Sequence, residues 1–180
     1  MRLLRTLTLA TVLVTAACSG SVFGIFSDHD DDHQHGGAPT AEQAIAIANV
    51  RSATALYQNL DRAKLAGYTA QYPAGCAASD AGGQGIHYLN PDLVDGSIEL
   101  LEPELVMYEP QADGTMELVG VDYVVPFDRW TGSDAPTLLG VPFMRNEPLG
   151  VWALHIWAWR ANPSGAFAMW NPEVSCAKAQ

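Results

Sequence analysis

Three polar side chains stand inside stretches of this chain that are otherwise apolar, and each needs a partner. His87 lies in Gly85-Ile-His-Tyr-Leu-Asn90, Asp122 in the hydrophobic run Leu118 to Val125, and His155 in Val151-Trp-Ala-Leu-His-Ile-Trp-Ala-Trp-Arg160. An imidazole or carboxylate taken out of water is costly unless it is hydrogen-bonded, paired or bound to a metal. Two imidazoles and one carboxylate are a ligand set for a divalent transition metal, and in open sites they leave a coordination position free. The same residues also suit a pocket for a small ligand. The first alternative is a buried structural network in which each histidine donates to a backbone carbonyl or to Asp122, the chain then being a structural or interaction module of the cell envelope without ligand. Spacing does not choose between these readings, because ligands from separate strands have no fixed separation. Tyr88 and Glu109 are further candidates to stand near the cluster. An HExxH pair, a phosphate loop and a nucleophile elbow are absent, so no catalytic residue is assigned, and a metal-dependent enzyme ranks behind the binding and structural readings.

A second set of ligand types occurs in Asp28-His-Asp-Asp-Asp-His-Gln-His35, where His29, His33 and His35 stand among four carboxylates. Such a tract chelates Zn²⁺, Ni²⁺ or Cu²⁺ weakly, since unscaffolded ligands must be ordered at each binding event. The bland alternative is a hydrated, charge-extended spacer.

Strands are the elements that must position the first cluster. The apolar and β-branched runs predict strands near Ile86–Leu89, Leu105–Tyr108, Met116–Val125, Val141–Met144 and Val151–Trp159. Alternation along the last of these places His155, Trp157 and Trp159 on one face and Trp152, Leu154 and Ile156 on the other. Asp113-Gly114 supplies the chemistry of a hairpin turn between the second and third strands. Asn90-Pro91 starts a short helical turn that ends near Asp95-Gly96, and Gly82-Gly-Gln-Gly85 reads as a flexible loop. Ahead of the strands, Thr40 and Gln43 form a capping box for a helix whose face is Ile47, Val50, Ala53, Tyr57 and Leu60. A second helical piece, Leu60 to Ala66, stops at Gly67. The expected fold is α+β: an N-terminal helix or helix pair packed on a curved, mainly antiparallel sheet or partial barrel, with a long loop from Pro126 to Gly140 over one end. The five tryptophans either fill the core or line an apolar or sugar-like pocket, and a small domain favours the core for most of them.

The 180 residues, 48% hydrophobic and 16% charged, suffice for one globular domain. A formal charge of −11 argues against a nucleic-acid partner and against attraction to an anionic lipid surface. Residues 1–17 read as an export signal: Arg2 and Arg5 precede an apolar run that closes on small residues and is too short to span a bilayer. Val14-Thr-Ala-Ala-Cys18 looks like a lipobox, with Thr15 replacing the usual larger aliphatic residue, so Cys18 is the expected lipidation site and the membrane the expected partner. Cleavage after Ala17 without lipid, giving a freely secreted protein, is the alternative. Residues 18–39 then form a disordered tether, and 40–180 the single domain. With Cys18 assigned to lipid, Cys76 and Cys176 remain for a disulfide in an oxidising compartment, closing a loop of about 100 residues and contributing roughly 4 to 5 kcal/mol.

Several ordered motifs resemble a family of uncharacterised bacterial exported proteins. They are Gly85-Ile-His-Tyr-Leu-Asn90, Pro103-Glu-Leu-Val-Met-Tyr-Glu109, Leu118-Val-Gly-Val-Asp-Tyr123, Leu154-His-Ile-Trp-Ala-Trp159 with Asn162-Pro-Ser-Gly165, and Trp170-Asn-Pro172 with Cys176. The similarity spans roughly Arg51 to Cys176. It implies an exported domain in which the carboxylate at the position of Asp122 is often glutamate. It implies no reaction.

Overall fold

The computed structural model describes residues 37–179. The export signal, Cys18 and the tether ligands His29, His33 and His35 lie outside the described residues.

Two short helices lead into the sheet. The helix α1 (Ala41–Ala53) starts with the expected box: Gln43 N donates to Thr40 Oγ1, and Thr40 N donates to the Gln43 side chain. Its buried face is Ala46, Ile47 and Val50, and it stops at Ala53, short of the predicted stripe through Tyr57 and Leu60, with Thr54 buried in place of the exposed Ala53. Thr54 explains the break. Its hydroxyl donates back to the Val50 carbonyl and accepts from Trp159 Nε1 at 3.0 Å, a side-chain bond that competes with continued helix. A turn of 3₁₀ helix (Ala55–Gln58) and α2 (Leu60–Leu65) follow, and the chain leaves α2 through Gly67 at φ +104°.

Six strands then form one antiparallel sheet. In chain order the strands are β1 (Ala70–Ser79), β2 (Gly82–Leu89), β3 (Leu105–Pro110), β4 (Met116–Pro126), β5 (Thr137–Leu138), β6 (Val141–Pro142), β7 (Met144–Asn146) and β8 (Val151–Ile156). The sheet order is β1-β2-β3-β4-β8-β7, curled into a half-barrel, while β5 and β6 pair as a separate small hairpin. This is the α+β architecture with a curved sheet that the sequence predicts, and the hairpin between β3 and β4 turns through Asp113-Gly114, where Asp113 accepts from Thr115 N and Oγ1.

Four local expectations are corrected. Strand β1 was not expected, because Pro73, Gly75 and a run of alanines disguise it. An edge strand with a register break between Gln71 and Cys76 is where such residues are tolerated. Gly82 to Gly85 is strand, not flexible loop: Gly83 and Asn171 exchange backbone hydrogen bonds of 3.0 and 3.1 Å, and a Cβ on Gly82 would meet the Asn171 carbonyl at 2.3 Å. The run Val141–Met144 divides between β6 and β7, so part of the expected Pro126–Gly140 loop is the strand β5. Finally β8 stops at Ile156, since Trp157 N turns to Ala166 O and Trp159 N to Val119 O; Trp157 stays on the His155 face, its ring 6.1 Å from that of His155, while Trp159 packs against the main core.

The sheet has two unlike faces. Ile86, Tyr88, Val106, Tyr108, Val121, Tyr123, Leu154 and Ile156 pack on Ile47, Val50, Ala63 and Tyr68 of the helical segment. The opposite face carries His87, Leu105, Met107, Asp122 and His155. It is closed by the segment after β8, which returns across the sheet so that Val174 packs on Met107, Val119 and Trp157. A disulfide between Cys76 and Cys176 fastens the end of this tail to β1.

Candidate metal centre

Register brings the three sequence-predicted ligands together. Asp122 on β4 stands directly across from His155 on β8 and, on its other side, across from Leu105 on β3. His87 on β2 pairs with Met107, two residues along β3 from Leu105 and on the same face. The backbones of β2 and β4 are therefore two strand spacings apart, roughly 10 Å. The inward curl of the sheet lets their side chains meet over β3.

The resulting distances are short. His155 Nε2 lies 3.5 Å and His87 Nε2 4.0 Å from Asp122 Oδ2, and the two imidazole rings are 5.7 Å apart. One ligand atom from each residue falls within 4.8 Å of the others. Exposures are 2% for His87, 5% for Asp122 and 6% for His155. Despite this proximity the three do not hydrogen-bond one another: both nitrogen–oxygen separations lie at or beyond the limit for such a bond. Among the described residues, His87 Nδ1 and Asp122 Oδ1 are buried without a hydrogen bond of good geometry, the Gly85 backbone being a polar neighbour of the His87 ring. In native proteins such orphaned buried atoms are uncommon and mark strain, chemistry or a missing ion.

The donor set fits a metal ion on these observations. Around a tetrahedral ion with ligands at 2.0 to 2.2 Å, neighbouring donor atoms stand about 3.4 Å apart. The His155–Asp122 pair already has this spacing, and His87 Nε2, 4.0 Å from the same oxygen, stands just outside it. Burial lowers the pKa of His87 to about 4, outweighing the opposite pull of Asp122, so at neutral pH the ring is uncharged and keeps a lone pair to donate.

A cavity of about 30 Å³ adjoins the cluster, with Tyr72, Gln84, Leu149 and Met169 among its walls. This holds a water-sized species. A sugar or a drug-sized molecule needs about ten times more space. Gln84 and Met169 were not singled out in the sequence. Gln84 sat in a stretch read as loop and Met169 among turn residues, and neither has a spacing that betrays it. Glu104 was missed too. It is buried beside the site, its Oε2 accepts from Val124 N at 3.2 Å, and burial first, with Asp122 adding, raises its pKa to about 8.

Two expected neighbours do not join. Tyr88 points to the other face, edge-on to Tyr108 at 5.7 Å, as alternation from His87 requires. Glu109 is on the far stretch of β3, where it binds Arg160 and the backbone N–H of Ser175. None of the five tryptophans lines the cavity. Trp157 is buried, and Trp130, Trp152 and Trp159 pack partly buried against the main core.

No family model, curated protein or solved structure matches this chain.

Proposed function

We propose that this chain is an exported, lipid-anchored protein of the cell envelope whose domain binds one transition-metal ion through His87, Asp122 and His155. The observation that carries the metal reading is the spacing of three buried donors, close enough to share one central atom and not bonded to one another. The small cavity favours an ion over an organic ligand and leaves no room beside it for an organic substrate, so holding the ion is the role we assign, ahead of catalysis. Export rests on the signal-like start with Cys18, and the Cys76–Cys176 disulfide is in keeping with an oxidising compartment.

The test uses the full chain with Cys18→Ala, His29→Ala, His33→Ala and His35→Ala, which removes competing ligands ahead of the domain. Equilibrium dialysis against Zn²⁺ should give one ion per chain, and adding His155→Ala should abolish it. A parent that retains neither Zn²⁺ nor, in a parallel dialysis, Cu(I), or a His155→Ala form that retains its ion undiminished, contradicts the reading. Lipidation is tested separately: a Cys18→Ala form that still partitions into membranes removes the anchor.

A further inference from the structure

The wall of the cavity includes one further residue that carries a metal-binding atom, Met169 with its thioether. Gln84, itself only 8% exposed, donates its Nε2 to both the carbonyl of Met169, at 3.2 Å, and its Sδ, at 3.0 Å. A methionine that merely fills core space, as Met107 does, packs among aliphatic and aromatic neighbours. Met169 belongs to none of the hydrophobic clusters, and its sulfur is held by the buried amide of Gln84, which lines the same cavity as Met169 and the two imidazoles. Thioether sulfur has two lone pairs. One accepts from Gln84, and the other remains for a soft ion.

Charge points the same way. Among the described residues that line the cavity, Asp122 is the one carboxylate and none is lysine or arginine. Imidazoles ligate only as neutral rings, so a monovalent cation held by two of them beside one carboxylate leaves the buried site neutral. A divalent one leaves a net positive charge at low dielectric, which is costly.

Resting on the metal reading above, we infer that the ion is cuprous copper, with Met169 Sδ joining His87 and His155 as donors and Asp122 balancing the charge. Imidazole suits copper and zinc alike, so it is the soft, uncharged thioether that favours Cu(I).

The experiment titrates Cu(I), against a chromogenic Cu(I) chelator, and separately Zn²⁺, into the full chain carrying the four alanine replacements at Cys18, His29, His33 and His35. A Met169→Leu form of the same chain should lose about tenfold or more in Cu(I) affinity while its Zn²⁺ affinity changes little. Unchanged Cu(I) affinity, or an equal loss for both ions, overturns the assignment while leaving a metal site in place. Absence of binding by either ion to the parent chain overturns the metal reading itself. Should Met169→Leu fail to fold, X-ray absorption of the Cu(I)-loaded parent decides: a sulfur scatterer beside nitrogen supports Met169, the one sulfur lining the cavity among the described residues, and a shell of nitrogen and oxygen alone refutes it.

Discussion

Two polar clusters sit on this protein's sheet, and they solve the problem of burial in opposite ways. Around Arg160, Nη2 bonds Glu109 Oε2 at 3.0 Å and lies 2.7 Å from Glu117 Oε1, Nη1 donates to the Glu173 carbonyl, and Glu109 Oε1 accepts from Ser175 N. Every charged end has a partner, and the result pins the tail to β3 and β4. Around Asp122, two imidazoles approach to 3.5 and 4.0 Å without bonding, and two buried atoms are orphaned. The first cluster is complete with protein atoms alone. The second is left open by the described protein atoms, and on the proposal above a metal ion completes it. Proximity of charged and polar groups therefore does not identify a site. What identifies it is bonding capacity left over after the protein's own atoms are counted.

That contrast can be broken by mutation, with the largest effect expected in the closed cluster. Arg160→Met leaves Glu109 buried without its cation and should cost about 3 kcal/mol in urea unfolding, the low end for a broken buried pair because Arg160 is itself 26% exposed. A loss below about 0.5 kcal/mol would mean that this cluster is no more than a surface ion pair. The open cluster should respond to ligand instead. Metal at a hundred times its dissociation constant should stabilise the chain by about 2.7 kcal/mol, and Asp122→Asn should remove most of that gain.

Glu104 sharpens the comparison through pH. Its folded pKa is raised from 4.5 to about 8, so between those values the unfolded chain has released a proton that the folded chain still holds. Stability from this group is thus greatest below pH 4.5, declines as pH rises towards 8, and is level above. Glu104→Gln should flatten that decline and be more stable than the parent at pH 9 by on the order of 2 kcal/mol. Parallel pH curves for the two proteins would place Glu104 in contact with water. The smallest effect is expected from Asp122→Asn without metal, less than about 1 kcal/mol, because an amide there breaks no existing hydrogen bond. A loss several times larger would make Asp122 a member of a structural network like that of Glu109.

Much of this was legible in the sequence for a definite reason. His87, Asp122 and His155 each interrupt an apolar strand, and a polar residue there is visible as an anomaly before any contact is known. The capping box at Thr40, the Asp113-Gly114 turn and the β3–β4 hairpin are short-range signals carried by adjacent residues. What was hidden depends on long-range geometry. Strand β1 carries proline and glycine because it is an edge, and β8 ends early because Val119 and Ala166 take its next backbone bonds. Gln84 and Met169 become wall residues only through the returning tail, and Tyr88 and Glu109 left the candidate set because strand alternation and Arg160 place them elsewhere.

The most direct measurement is nitrogen-15 NMR of the imidazoles in the full chain as metal is added in substoichiometric steps. The resonances of His87 and His155 should be replaced together, in proportion to the ion added and reaching completion at one equivalent. Shifts confined to His29, His33 and His35, with the two buried rings unchanged at one equivalent, would contradict a metal centre on this sheet.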